Sequence, residues 1–138
     1  ISAMNEVNVH MGRINSAVRF KFWLNDKPYD AGTEIIGDGF VISTPFGSTA
    51  YFNQITRGVF YQGIGLALKS TTHHTSHLIA PESTVFRVLI TRGPAVLAFD
   101  SSEEYFALRK GDELTVRHDP RPATLYVWEP LPYQTDEF

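Results

Sequence analysis

Three stretches of this sequence carry side chains whose types and spacing could do chemistry. The densest is Gly37-Asp38-Gly39-Phe40-Val41-Ile42-Ser43-Thr44-Pro45-Phe46-Gly47-Ser48-Thr49-Ala50-Tyr51. A tight Gly-Asp-Gly turn precedes a short apolar strand, and a Pro-Phe-Gly break then leads into hydroxyl residues that could open a helix. Such a break can expose consecutive backbone N–H groups, which Ser or Thr at a helix start would cap. The block could therefore dock an anion or a polar ring edge. It could equally be a structural turn in which Asp38 and Ser48 satisfy their own backbone. It is no Walker loop, because the Gly-Lys-Ser/Thr ending is missing.

The second stretch is Asn5-Glu6. A carboxamide beside a carboxylate offers both donors and acceptors, a set suited to sugar hydroxyls. In a regular strand the two side chains point to opposite faces, so one ligand can meet both only where the chain bends. The alternative is a solvated strand start. The third stretch, Thr71-Thr72-His73-His74-Thr75-Ser76-His77, holds three histidines within five positions. A metal reading would need a helix to put His73 and His77 on one face. The surrounding Thr and Ser disfavour that helix, so a polar loop is expected.

Other chemistries find little support. No Gly-x-Ser-x-Gly elbow is present, and Glu103-Glu104 follow a turn and are expected to face solvent. Cysteine is absent, which removes disulfides, thiolate metal sites and thiol nucleophiles. Twelve Lys+Arg against fifteen Asp+Glu give a formal charge of -3, so no general basic surface for nucleic acid is expected. No apolar run reaches the length of a membrane helix, and no signal-peptide pattern stands at the start, so cytoplasm is the default expectation.

The elements that must position these residues read mostly as strands. The 138 residues are enough for one domain with its own core. Aromatic residues reach 13%, a strand-leaning composition. Val18–Leu24 alternates Val18, Phe20, Phe22 and Leu24 with Arg19 and Lys21, and Asn25-Asp26-Lys27-Pro28 then supplies a turn toward a return through Glu34-Ile35-Ile36. Further strands are expected at Glu6–His10, Phe40–Thr44, Thr84–Thr91, Ala95–Phe99, Tyr105–Leu108, Glu113–Arg117 and Thr124–Trp128. Ser48–Ile55 could form a helical turn, and Gly63–Ser70 is too short and apolar to separate helix from strand. The expectation is a mainly β, sandwich-like or barrel-like domain with short helical segments over 1–128, followed by an extended tail over 129–138.

The order of the blocks resembles the C-terminal domain of the NAD kinase family. Ala3-Met4-Asn5-Glu6-Val7, a hairpin, Gly37-Asp38-Gly39, and Ser43-Thr44-Pro45-Phe46-Gly47-Ser48-Thr49-Ala50-Tyr51 fall in the family's sequence. The family's own versions are a Leu-Asn-Glu segment, a Gly-Asp-Gly and a Thr-Pro-Thr-Gly-Ser-Thr-Ala-Tyr run. The likeness covers most of the chain and is strongest from 3 to 51.

The resemblance implies a mainly β domain that forms most of the NAD site. It implies phosphoryl transfer from ATP or polyphosphate, with a divalent metal such as Mg²⁺, to the 2′-hydroxyl of the adenosine ribose, giving NADP. On the matching positions, Asn5 and Glu6 would hold ribose hydroxyls, and Asp38 would bind the carboxamide on the nicotinamide side. Thr49 and Ala50 would address the adenine edge, and Tyr51 would pack against a ring or ribose. Thr72 and His74 are candidates for a second pocket. The family's Gly-Gly-Asp-Gly-Thr motif, which carries the donor site and catalytic Asp, is absent from these residues. No catalytic residue or metal ligand is therefore expected here; the partner would be a missing N-terminal kinase domain, and the chain alone should be inactive. A homo-oligomer is also implied, with Tyr61, Tyr126 and Trp128 as candidate contacts.

Phe46 stands in place of the family's Thr, and Ile55-Thr56-Arg57-Gly58-Val59 in place of Ala-Gly-Gly-Pro, which marks a divergent branch. A related kinase acting on a sugar or lipid, or a non-catalytic ligand-binding or oligomerisation module, are the alternatives.

Overall fold

The structure, a computed structural model, describes residues 1–123. The expected strand Thr124–Trp128, the tail over 129–138, and Tyr126 and Trp128 lie outside the described residues. Among the described residues, no helix is long and apolar enough to cross a membrane.

Among the described residues, eleven strands form two antiparallel sheets. They are β1 (Glu6–Met11), β2 (Val18–Leu24), β3 (Lys27–Pro28), β4 (Ile35–Gly37), β5 (Gly39–Ser43), β6 (Ile64–Lys69), β7 (His77–Ala80), β8 (Phe86–Arg92), β9 (Ala95–Phe99), β10 (Tyr105–Leu108) and β11 (Glu113–Val116). One sheet runs β10-β9-β1-β5-β6-β7; the other runs β11-β8-β2-β3, with β4 also paired to β2. The expectation of a mainly β, sandwich-like domain with short helical segments is met.

Period-two patterning decides which faces meet. On β2, Val18, Phe20 and Phe22 are buried while Arg19 and Lys21 are only partly covered. Val9, Phe40, Ile42, Leu66 and Leu68 come from the facing sheet into the same core as Phe86, Val88 and Ile90. The rings of Phe20 and Phe22 lie 5.0 and 4.9 Å from that of Phe40, centroid to centroid, so one aromatic triad ties the sheets together. The β2–β3 turn follows its chemistry: Asn25 and Asp26 both take positive φ, as a two-residue hairpin with the right twist requires.

The central strands β5 and β6 are buried along their whole length because both faces are covered. One face meets the second sheet. The other lies beneath a 3₁₀ turn at Phe46–Thr49 and the helix α1 (Tyr51–Thr56), where Phe52, Phe60 and Ala67 make a second small cluster. A Cβ at Gly65 would stand 2.6 Å from the Phe60 ring and 2.8 Å from the Phe52 ring. The lack of a side chain at Gly65 therefore lets these rings reach the sheet. Double coverage also explains why Gly63–Ser70 shows no alternation in sequence, although Ile64–Lys69 within it is a strand.

Candidate functional site

On the sheet face turned toward α1, alternation brings Glu6, Asn8 and His10 of β1 into one row. Lys69 ends β6 on the same face, and Asp38 stands just before β5. Register brings them together: His10 pairs with Gly39, and Gly39 with Lys69. The backbone is locked here as well, since Asp38 N–H donates to Lys69 O at 2.9 Å and Met11 N–H donates to Asp38 O at 2.8 Å. Gly39 has φ +144°, and an added Cβ would lie 1.9 Å from Val9 O, so this crossing admits no side chain.

These residues line an open cleft of about 360 Å³, walled by His10, Asp38, Tyr51, Ile55, Leu68 and Lys69. Ser70 and Ser76 close its rim. Lys69 is only 7% exposed. It donates to Asn8 Oδ1 at 2.6 Å and to His10 Nδ1 at 2.8 Å, and it lies 5.3 Å from the centre of the Tyr51 ring. Burial pulls its pKa down to about 8, against the opposing pull of Asp38. His10 is likewise held below its ordinary value, first by burial and then by the Lys69 charge. A neutral His10 that accepts at Nδ1 carries its ring proton on Nε2. The cleft therefore combines a cation, an anion, a neutral imidazole and an aromatic wall.

A second group adjoins it through Tyr51. The Glu6 carboxylate is buried, which raises its pKa; the Tyr51 backbone N–H donates to it and partly offsets the rise, while the Asp100 charge adds to it. Asp100 in turn accepts from the backbone N–H groups of Met4 at 2.8 Å, Asn5 at 2.7 Å and Glu6 at 3.2 Å. This carboxylate clamp supplies the bend ahead of β1 that Asn5 and Glu6 need to act together. The Thr44 hydroxyl donates to Met4 O and accepts from Gly47 N–H. A Cβ on Gly47 would meet Asn5 O at 2.1 Å and Asn5 Cα and C at 2.5 Å. Gly47 is thus the point at which the 43–51 block and the Asn5-Glu6 block touch.

The structure brings Asn5, Glu6, Asp38 and Tyr51 into one region. Thr49 is exposed and Ala50 half-buried at the step from the 3₁₀ turn into α1, beside Tyr51. The hydroxyl capping considered from the sequence does not occur at α1, whose first turn has no side-chain cap. Ser48 is buried instead, donating to Pro45 O and Phe60 O and accepting from Phe60 N–H, so it staples the loop. Thr72 and His74 are exposed and do not line the cleft. Thr72 N–H bonds Ile36 O, while His74 stacks on His73 at 4.4 Å between centroids. His73 bonds Asp30 at 2.9 Å through Nε2, so the three histidines do not converge. Among the described residues no group of three His, Asp or Glu side chains could hold a metal ion.

Sequence reasoning missed Asn8, His10, Lys69 and the clamp made by Asp100. A single lysine closing the apolar run Ile64–Leu68 was the available signal for Lys69.

Residues 4–127 match the sequence profile of the ATP-NAD kinase C-terminal domain. The chain belongs to that family. This C-terminal domain is 27% identical over 128 residues to an NAD kinase of Nitrosospira multiformis, covering 89% of the chain and 42% of the relative. It is 31% identical over 104 residues to a mitochondrial NADH kinase of Schizosaccharomyces pombe, covering 75% and 24% respectively. Its fold is similar to that of a yeast NADH kinase crystallised with NADH (TM-score 0.75, 24% identity, 83% of this chain and 34% of the other). It is also similar to an Archaeoglobus fulgidus NAD kinase in complex with ATP (TM-score 0.71, 19% identity, 88% and 47%). The domain spans less than half the length of each of these proteins.

Proposed function

We propose that this domain supplies the dinucleotide-binding half of an NAD(H) kinase, whose complete form transfers a phosphoryl group to the 2′-hydroxyl of the adenosine ribose. The observation that carries the reading is the contact of Gly47 with Asn5, together with the Thr44 hydroxyl, which donates to Met4 O and accepts from Gly47 N–H. It joins the two motif blocks that resemble the family's ligand-binding segments. In this reading Asn5 and Glu6 take ribose hydroxyls, Thr49 and Ala50 the adenine edge, Tyr51 a ring face, and Asp38 the carboxamide N–H. Glu6 is suited to a diol because a carboxylate accepts from hydroxyls.

The donor, ATP or polyphosphate, and its divalent metal fall to a further domain with which this one would pair. The Gly-Gly-Asp-Gly-Thr motif that resembling proteins use at the donor site is not among these residues, so no step of the transfer is assigned to them. Exposed Tyr61 is available to a homo-oligomer contact, and the cytoplasm is the compartment this reading favours. Thr72 and His74 keep a role in a second pocket only if a ligand or partner extends beyond the cleft. Calorimetric titration of the 138-residue chain with NAD, NADH and ATP tests the reading. Dinucleotide binding that weakens in Asp38→Ala and Tyr51→Ala supports it; silence toward both dinucleotides, with a stable oligomer, favours an assembly module.

A further inference from the structure

The end of the fold remote from Asn5 and Glu6 carries charge that the cleft does not use. Three turns meet there: the β1–β2 connection over 12–17, the β8–β9 turn at Gly93-Pro94, and the β10–β11 turn over 109–112. Gly12 N–H donates to Pro94 O at 2.9 Å, and a Cβ on Gly93 would stand 3.3 Å from Arg109 Cα, so the turns lie side by side. They expose Arg13, Arg92, Arg109 and Lys110 against the single carboxylate of Asp112. Four cations and one carboxylate leave +3 at this end of a chain whose formal charge is -3. Among the described residues, no carboxylate lies within 4.0 Å of any of the four charged groups. Asp112 Oδ2 instead accepts from the Arg109 backbone N–H at 2.8 Å. Beside them, Arg19 of β2 stands opposite Arg92 in register, a like-charge pairing that costs stability, and its Nε–H is buried without a partner. Glu34, at 3.4 Å, answers only the Arg19 charge.

The crest of the first turn is apolar. Arg13 O accepts from Ser16 N–H at 3.2 Å, which puts Ile14 at the tip, and Ile14 is 93% exposed, more than any other large hydrophobic side chain among the described residues. Cations grouped around a bare aliphatic tip suit a lipid surface, where the cations meet headgroup phosphates and the side chain enters the acyl boundary. We propose that this end docks on an anionic lipid surface, with Ile14 inserted and Arg13, Arg92, Arg109 and Lys110 against the headgroups. A nucleic acid fits less well, because the three turns carry no aromatic side chain on which a base could stack. A free phosphate chain would leave Ile14 without a partner. The inference rests on the reading above at one point only, the openness of this end. The donor domain must reach Asn5 and Glu6 at the start of β1, and six residues of strand put Gly12 about 20 Å from them.

Flotation of the 138-residue chain with vesicles of phosphatidylcholine, alone or with about one-third phosphatidylserine, tests the proposal. Binding is expected only on the anionic vesicles, and it should weaken as salt rises. Each cation near such a surface contributes about fivefold, so Arg92→Gln with Arg109→Gln should lower partitioning about thirtyfold. The control is Arg117→Gln with Arg121→Gln, beyond the other end of β11, which should bind like the parent. Because the chain has no cysteine, Ile14→Cys takes an environment-sensitive dye at one position. Its emission should shift to the blue on anionic vesicles, whereas a dye on Tyr61→Cys, exposed before the far end of β6, should not respond. No binding at low salt, equal binding to neutral vesicles, equal losses in the two arginine pairs, or no shift at position 14 overturns the proposal. So does tighter binding of a single-stranded oligonucleotide that Arg92→Gln with Arg109→Gln abolishes. Titration of the parent chain with NADH reads the dinucleotide site separately. If NADH fails to bind while anionic vesicles do, the dinucleotide reading falls and the lipid surface stands.

Discussion

Replacing Gly47 by alanine tests whether the two motif blocks are held together by their backbone contact. The added methyl would stand 2.1 Å from Asn5 O and 2.5 Å from Asn5 C and Cα. All three atoms are backbone, so no flexible side chain can turn aside to absorb the clash. An ordinary carbon–oxygen contact is over 3 Å, so the segment ahead of β1 must retreat by about 1 Å. Overpacking of this kind costs about 1–3 kcal/mol. For a domain of this size that lowers the melting temperature by roughly 3–12 °C. The retreat also stretches the bonds from Met4, Asn5 and Glu6 to Asp100, so dinucleotide binding should fall by about tenfold or more, given that 1 Å misplacements in sites have effects of that order. Gly58→Ala is the control, because its Cβ would meet only Thr56 Oγ1, at 3.7 Å. Thermal melting followed by titration with NADH reads both quantities. Gly47→Ala with the stability and affinity of the Gly58→Ala control would refute the reasoning.

Other perturbations have equally definite outcomes. Phe40→Ala removes the ring shared by both sheets and should cost about 3–5 kcal/mol in urea unfolding; a loss below about 1 kcal/mol would mean that the triad is not what joins the layers. Asp100→Ala leaves three backbone donors to water and should weaken dinucleotide binding, with a stability loss of about 1–3 kcal/mol; unchanged binding would remove the clamp from the account. Lys69 has a folded pKa of about 8 against the usual 10.5, so between those pH values the unfolded chain holds a proton that the folded chain has released. Its burial penalty is therefore full below about pH 8 and fades as the pH climbs to 10.5. The parent chain should gain up to about 3 kcal/mol relative to Lys69→Met across that range, and parallel stability curves would contradict it. The 138-residue chain supplied with ATP, Mg²⁺ and NADH should form no phosphorylated dinucleotide, a prediction that turnover by the purified chain would overturn.

Much of the fold is legible in the sequence where one face of a strand is dry and the other wet. Val18–Leu24 and Ala95–Phe99 are strands with the expected limits. Legibility fails where that contrast disappears. Ile64–Lys69 lies under α1 on one side and against the core on the other, so its apolar run carries no period. His77–Ala80 looks like the end of a polar loop and becomes a strand only through the pairs Leu66–Leu78 and Ala67–His77. The site divides in the same way. Asn5, Glu6, Asp38 and Tyr51 sit in motif blocks whose order can be read along the chain. Lys69 meets Asn8 across 61 positions, and Asp100 meets Glu6 across 94, so only sheet register reveals them.

The central claim is that the face of β1, β5 and β6 beneath α1 is a dinucleotide site. Backbone amide NMR of the 138-residue chain during titration with NADH tests it most directly. The account predicts saturable shifts concentrated at Asn5, Glu6, Asp38, Tyr51 and Lys69. Shifts gathered instead around the second cleft, at Glu82, Val85, Arg117 and His118, would contradict it.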